Sequence, residues 1–348
     1  MTGHHDRTAP QAAPLAQRLF AALADGQVHS GAALAAHAGV TRSAVWKAIE
    51  TLRADGLAVE AATKRGYRLA LPTEALDAAA LRAALPASTR DRLRSLAVAW
   101  EIGSTNAALL DAPPPPVGVW DVLLAENQRS GRGRRGRAWR AALGDSLCLS
   151  FGTAFEPLPR DLPAATLVIG VCVLQALRRH GAQGVALKWP NDIVLLEPAL
   201  AKAGGILVEL RAEAAGAAQM VAGIGLNLRC PAALIEPLHT GALPAVGLDR
   251  AGLRPNARNA LAASVIDACV QGLGRFAEEG FAPFREAWRA ADALRDRPVR
   301  VAAGVGIDPT REGHARGIDD SGALVFEDER GVRSALLAGE VSVRERGA

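Results

Sequence analysis

Leu15, Leu19 and Leu23 recur at helical spacing until Asp25-Gly26 breaks the pattern. A short second helix follows, with Ser30 placed as its N-cap and Leu34 as its apolar anchor. Gly39 turns the chain, and Thr41 caps a third helix with Val45, Ala48, Ile49 and Leu52 on one face, closed by Gly56. Two short alternating runs, Leu57–Val59 and Tyr67–Leu69, flank the basic turn Thr63-Lys64-Arg65-Gly66. This order predicts a winged helix-turn-helix over residues 15–71, after a disordered tail at 1–14. Beyond the Leu71-Pro72-Thr73 linker, Asp77 opens another helix that closes before Pro86.

From Ser95 the pattern alternates. Strands are predicted at Leu96–Ile102, Val119–Ala125, Leu147–Phe151, Val185–Trp189, Ile193–Leu196, Gly205–Leu210 and Met220–Leu226, with covering helices at Ala164–His180 and Ala257–Glu279. Several strands are joined by short loops, so the expected sheet is mixed, in an α/β domain spanning 72–296. Residues 297–348 change to short strands at Val299–Val301, Ala323–Phe326 and Val341–Val343 between glycine turns, which reads as a small β-barrel. The fold class is therefore α+β and multidomain.

Composition narrows the class. At 49% apolar and 22% charged the chain is globular, and its uncharged apolar runs are shorter than the ~20 residues of a membrane span. The amino terminus lacks the apolar core of a secretory signal, and four dispersed cysteines suit buried thiols rather than disulfides or a metal site. A cytoplasmic protein with no bound metal of its own is the expectation. Basic residues comprise 36 arginines and 4 lysines, a bias that makes Lys47, Lys64, Lys188 and Lys202 conspicuous.

Four stretches carry chemistry. Gly131-Arg-Gly-Arg-Arg-Gly-Arg137, then Trp139, lies in a segment with six arginines and no acid between Asn127 and Leu143. Glycine allows close backbone approach and arginine offers bidentate donors, so this is either a loop that orders over an anionic ligand or a nucleic-acid patch. Its place between two strands favours the ligand loop. Lys188-Trp-Pro-Asn-Asp192 ends an apolar strand; Trp-Pro-Asn alone reads as a strand-to-turn boundary, but a buried lysine needs a charge partner. Gly223-Ile-Gly-Leu-Asn227 suits tight packing as well as a nucleotide, and Ser104-Thr105-Asn106 suits a simple cap as well as a polar ligand site. No P-loop, HExxH or serine elbow is present.

Taken with Gln128 and Lys202-Ala-Gly-Gly-Ile-Leu207, these stretches stand in the order and spacing of a known family. From Leu15 to the carboxyl end the chain resembles the bifunctional bacterial biotin protein ligases that double as biotin-operon repressors. The resemblance implies a class II synthetase-like catalytic sheet, an SH3-like terminal barrel, and a biotin–[biotin carboxyl-carrier protein] ligase. ATP with Mg²⁺ and biotin would form biotinyl-adenylate, and the biotinyl group would pass to a lysine of the carrier protein. It places biotin against Ser104, Thr105, Asn106, Gln128, Arg132, Gly133, Arg134 and Lys188, and the nucleotide against Gly131, Arg134, Arg137, Trp139, Asn191 and Asn227. Lys188, Arg134 and Arg132 would carry the catalysis, with Lys188 bridging the biotin carboxyl and the α-phosphate. Lys202 is left between a site role and a solvated turn, and Asp192 stands outside the direct contacts of the metal.

For repression the resemblance implies a homodimer formed with biotinyl-adenylate, bound to operator DNA through Thr41, Arg42, Ser43, Trp46, Lys47, Lys64 and Arg65. The early residues of a recognition helix reach base edges, and a basic wing suits phosphate. A ligase whose helix-turn-helix no longer regulates, a purely biotin-sensing transcription factor and a lipoate-type ligase remain the alternatives. Against the family pattern, Asp308–His314 reads as a lengthened barrel loop.

Overall fold

The computed structural model describes residues 13–62, 65–212, 218–231, 243–303, 311–337 and 341–345. The chain divides into two compact units, 1–75 and 76–348. The tail expected at 1–14 lies almost wholly outside the described residues, as does Lys64.

The first unit holds α1 (Leu15–Leu23), α2 (Gly31–Ala38), α3 (Arg42–Ala54), β1 (Val59–Ala62) and β2 (Gly66–Leu69). Ser30 Oγ accepts from Ala33 N at 3.0 Å and Thr41 Oγ1 from Ala44 N at 3.2 Å, so both predicted caps form, each worth about 1 kcal/mol. The apolar stripes converge on a core of Leu19, Phe20, Leu23, Leu34, Val45, Ile49 and Leu52. That packing leaves Arg42, Ser43, Trp46 and Lys47 on the open face of α3, with Trp46 53% exposed. His29 and Tyr67 exchange backbone hydrogen bonds at 2.9 Å and so tie the wing to the turn before α2. At Gly66 (φ 132°) a Cβ would overlap the His29 carbonyl, which is why glycine ends the basic turn.

The second unit opens with α4 (Ala78–Ala84), capped by Asp77, and the short α5 (Ala87–Arg90). It continues with β3 (Leu93–Ile102), α6 (Thr105–Asp111), β4 (Trp120–Gln128), β5 (Ser146–Phe155) and α7 (Ala165–Arg179). Then come β6 (Val185–Lys188), β7 (Asp192–Leu195), β8 (Ala201–Ala212), β9 (Ala218–Asn227), α8 (Arg258–Glu279) and α9 (Arg285–Arg289). Seven strands form one sheet in the order β3-β4-β5-β9-β8-β7-β6, parallel only between β3 and β4. All seven predicted strands and both covering helices are present. β5 is buried along its whole length, because α6 covers one face and α8 the other.

A buried ion pair fastens the start of this unit. Arg258 donates to both carboxylate oxygens of Glu126, at 3.1 and 2.7 Å, and to Ser146 O at 2.9 Å, while Glu126 also accepts from Leu76 N at 2.6 Å. A buried charge pair is tolerable only when hydrogen bonds offset its desolvation, and these four do so here. One sequence expectation needs correcting. By length and apolar character, Leu162–Arg179 and Arg258–Glu279 both qualify as membrane spans, although interrupted runs hid this from a reading by uncharged stretches. In the fold, 67% and 56% of them are buried inside the protein, and α7 and α8 pack against each other.

The terminal β-domain contains β10 (Pro298–Ala303), β11 (Arg311–Ile318), β12 (Leu324–Asp328), β13 (Arg333–Leu336) and β14 (Val341–Glu345), all antiparallel in the order β13-β12-β11-β10-β14. Sequence patterning found three of these strands. The stretch taken as a lengthened loop holds the first half of β11, from Arg311 to His314; residues 308–310 lie outside those described. β11 has no apolar alternation because its inward positions are small. A Cβ at Gly313 would overlap the Glu327 carbonyl, and Ala315 is fully buried. The β-domain is no separate unit: Val299, Val301, Leu324, Phe326 and Val343 belong to the same core cluster as the seven-stranded sheet.

Candidate active site

At one end of the site the amino terminus of α6 meets β4, β5 and the β8–β9 hairpin. Ser104 Oγ caps α6 by accepting from Ala107 N at 3.4 Å. The first free amide of the helix, Thr105 N, donates to Gln128 Oε1 at 2.9 Å, so β4 supplies the partner that a helix start needs. The Thr105 hydroxyl lies 3.1 Å from Gln128 Oε1 and 2.6 Å from Ser150 Oγ. Ser150 Oγ donates to Asn106 Oδ1 at 2.6 Å, and Asn106 Nδ2 donates to Glu209 Oε2 at 2.8 Å and Leu207 O at 3.3 Å. Thr105, Asn106 and Ser150 are all buried, so each contact is made in a medium where an unmade one would cost about 1–3 kcal/mol. Ser150 and Glu209 escaped the sequence reading. Each sits within an apolar strand with no local motif, and only sheet register brings it under α6.

The Gly223-Ile-Gly225 spacing now has a cause. A Cβ at Gly223 would overlap the Asn106 amide, and one at Gly225 would overlap the Trp139 indole. The glycines make room for two side chains of the site, which is the tight-packing reading of that motif.

The other end is charged. Hairpin register sets Lys188 opposite Asp192, and a bulge in the β7–β8 pairing leaves Lys202 opposite Val194, on the Asp192 face. Asp192 carries both lysines: Lys202 Nζ at 2.6 Å from Oδ1 and Lys188 Nζ at 3.6 Å from Oδ2. The predicted charge partner of Lys188 is thus four residues away, across the Trp-Pro-Asn turn. Burial pushes the Asp192 carboxyl up, but Lys202 and then Lys188 outweigh it and hold it below its ordinary value. Burial also pulls the Lys188 ammonium down.

The two lysines differ in access. The Lys188 side chain is 8% exposed, and its ammonium donates to Val343 O of β14 at 3.0 Å. The Lys202 side chain is 32% exposed, with its ammonium 5.9 Å from the centre of the Trp139 ring. Asn227 Nδ2 reaches the Lys202 carbonyl at 3.5 Å, and Asn191 Nδ2 donates to Ile206 O at 2.8 Å.

The glycine–arginine loop closes over this end on its own backbone scaffold. Trp139 N donates to Gly131 O at 2.8 Å and Gly133 N to Arg137 O at 2.7 Å, with Arg135 in the left-handed region (φ 59°). Arg134 turns inward, donating to Asn191 Oδ1 at 3.3 Å; burial, then the neighbouring Arg135 charge, lowers its pKa. Arg132 and Arg137 are exposed. Behind the loop, burial pushes the Cys148 thiol up to about 11, so it stays protonated at neutral pH. Among the described residues no group of three or more His, Cys, Asp or Glu side chains could hold a metal.

Ser104, Thr105, Asn106 and Gln128 therefore gather at the neutral end. Gly131, Arg134, Trp139, Lys188, Asn191 and Asn227 gather at the charged end, and Lys202 and Asp192 join them. The residues expected to contact DNA belong to the first unit, where Thr41, Arg42, Ser43, Trp46, Lys47 and Arg65 are all exposed.

Three family models cover these same regions: an HTH domain over residues 16–68, the biotin/lipoate A/B protein ligase family over 105–227, and the biotin protein ligase C-terminal domain over 296–344. Along the full length, the chain is 38% identical over 326 residues to the bifunctional ligase/repressor BirA of Salmonella typhimurium, covering 94% of this chain and 96% of that protein. The chain belongs to the BirA family of bifunctional ligase/repressors. Its Escherichia coli member is 37% identical over 327 residues, with the same shares covered. Among solved structures, the biotin protein ligase of Aquifex aeolicus in complex with biotin and ATP matches at 25% identity and a TM-score of 0.60, over 72% of this chain and 99% of that one.

Proposed function

We propose that this BirA-family chain joins biotin to AMP using MgATP, transfers the biotinyl group to a lysine of a biotin carboxyl carrier protein, and represses transcription in response to the adenylate. The observation that carries the reading is the two-ended site. A neutral, buried hydrogen-bonding chain suits a ureido ring, and a lysine–aspartate–arginine cluster suits a carboxylate meeting a phosphate. In the first step a biotin carboxylate oxygen attacks the α-phosphorus, and the bond to the bridging oxygen breaks with its electron pair leaving on pyrophosphate. Negative charge builds on phosphoryl oxygens, so fixed cations at that point lower the barrier. In the second step the neutral amine of the acceptor lysine attacks the acyl carbon, AMP leaves, and the amine proton passes to solvent. No enzyme nucleophile is required.

Among the cations, the half-open Lys202 is assigned the direct contact with the carboxyl–phosphate junction. Lys188, enclosed between Asp192 and the Val343 carbonyl, is assigned the support of Asp192 and through it of Lys202. This reverses the priority that the sequence placed on Lys188. Arg134 closes the loop over the junction and shields the mixed anhydride from water, with Arg132, Gly133 and Arg137 along its rim and Trp139 as the wall beside the nucleotide. Magnesium arrives with ATP as part of the substrate. Among the described residues the charged end offers it one carboxylate, Asp192, whose oxygens already face two lysines, so phosphate oxygens and water would hold it.

In the first unit, Arg42, Ser43, Trp46 and Lys47 read an operator from the start of α3, and Arg65 of the wing meets phosphate. A homodimer favoured by the adenylate would present two such helices to a palindrome, and the setting is the cytoplasm. The test is transfer of labelled biotin to a carrier domain with and without ATP, together with a gel shift on a candidate palindrome. ATP-dependent labelling of one carrier lysine is expected, with a shift that needs biotin and ATP together. Labelling without ATP, or none, overturns the ligase; a shift indifferent to ligand overturns the adenylate-responsive repressor.

A further inference from the structure

The neutral end of the site has a direction, and one residue outside the family-matching strings sets it. Both hydrogens of the Asn106 amide face acceptors that never donate: the Glu209 carboxylate at 2.8 Å and the Leu207 carbonyl at 3.3 Å. Asn106 must therefore turn Oδ1 toward Ser150, which donates its only proton there, at 2.6 Å. Ser150 then has only lone pairs for Thr105, 2.6 Å away, so the Thr105 proton is committed to Ser150. Three oxygen contacts, Gln128–Thr105, Thr105–Ser150 and Ser150–Asn106, share two hydroxyl protons. The one left without a proton is the 3.1 Å approach of Thr105 Oγ1 to Gln128 Oε1. Two acceptor oxygens face one another there, one of them also accepting from Thr105 N, and their remaining lone pairs call for a donor from outside the chain.

Resting on the ligase reading above, we infer that Glu209 is a positioning residue that sets the polarity of this hydrogen-bond chain, making the Thr105–Gln128 oxygen pair acceptor-only and thereby selecting a ring with N–H donors. Glu209 acts through Asn106, Ser150 and Thr105 rather than by touching the ligand. Its carboxylate is the terminal acceptor that orients every proton upstream. Without it, Leu207 O alone holds the amide, at the longer of the two distances. The chain then samples the opposite sense, in which Thr105 donates to Gln128 and the pocket loses an acceptor.

The test uses the full-length chain and reads pyrophosphate release with biotin and with a lactam analogue in which one ureido N–H is replaced by CH₂. A site built around an N–H rejects the analogue lacking it, so wild type discriminates strongly. Glu209→Met is expected to raise the KM for biotin about tenfold and to cut the preference for biotin over the lactam about tenfold, with the KM for ATP unchanged. Glu209→Gln, which can still turn an amide oxygen toward Asn106, is expected to restore both to within about threefold of wild type. Ser150→Ala breaks the same chain one link further in and is expected to lower the preference as Glu209→Met does, which keeps the test open should that variant fail to fold. A wild-type preference for biotin retained in Glu209→Met or in Ser150→Ala overturns the inference, since a purely structural role weakens both ligands alike. A wild-type chain that releases no pyrophosphate with biotin overturns the ligase reading instead, and this inference with it.

Discussion

The two ends of the site solve recognition in opposite ways. At the neutral end, Thr105, Ser150, Asn106 and Glu209 satisfy one another through short contacts before any ligand arrives, and selectivity comes from which lone pairs remain. At the charged end, Asp192 is shared by two lysines, Arg134 leans in from a loop, and Lys202 stays partly open to solvent. A hydrogen-bond chain of fixed polarity discriminates between ligands of the same size. A cation cluster discriminates poorly but stabilises charge that appears only as the reaction proceeds. Changes at the charged end should therefore strike kcat, and changes at the neutral end should strike the KM for biotin.

The largest effect expected is from Lys202→Ala, which removes the cation assigned to the junction. Pyrophosphate release should fall about a hundred- to a thousand-fold while biotin still binds by calorimetry, and a loss confined to KM would break the comparison. Lys188→Ala should fall short of that, because both lysines face Asp192 but only the Lys188 ammonium is also enclosed by Val343 O. A Lys188→Ala defect larger than that of Lys202→Ala would reinstate Lys188 as the direct contact. At the neutral end, Thr105→Val keeps the shape and removes the hydroxyl, so the KM for biotin should rise about ten- to a hundred-fold with the KM for ATP steady. Arg134→Gly should loosen the loop and let reactive adenylate escape, raising random lysine biotinylation of a bystander protein about tenfold. Labelling no higher than wild type would show that the loop does not retain the intermediate.

A further effect is expected on stability, in the segment that supports the charged end. Ala291 and Ala293 bracket Leu187 with backbone hydrogen bonds of 2.8 Å, placing Asp292 beside the strand that delivers Lys188. Burial pushes the Asp292 carboxyl up from 3.8 to about 6, and among the described residues its Oδ2 has no hydrogen-bond partner. Because the folded state prefers the protonated form, this stability is present below pH 4 and is lost as pH rises through 6. Asp292→Asn should therefore stabilise the chain relative to wild type by about 2–3 kcal/mol more at pH 7.5 than at pH 4.5, read by denaturant unfolding at both values. An equal difference at both pH values would place the origin elsewhere.

Much of this was legible in the chain, and the failures share a cause. Caps at Ser30, Thr41, Asp77 and Ser104 were readable because a hydroxyl or carboxylate three residues ahead of a free amide is a local arrangement. Strands β5, β6 and β9 of the central sheet were readable because burial on both faces demands apolar runs. β11 was missed because its interior is built of Gly313 and Ala315, where close backbone approach replaces side-chain packing. Glu209 and Ser150 were missed because each is ordinary in its own strand.

What the sequence by itself determined was the order of most elements and, through the resemblance its motifs carry, the family and most of the residues from which the candidate site is drawn, since caps, apolar runs and motif strings are local features. Only the tertiary structure decided how those residues divide the work. Lys188 and Lys202 are identical side chains on the two strands that flank β7 and both face Asp192, yet one is closed off by a carbonyl of the last strand while the other faces Trp139 and solvent. The difference is made by a backbone carbonyl 155 residues away and by the register of a bulged strand. Long-range contact and burial set which charge stays open to solvent, and neither has a signature in the neighbouring residues.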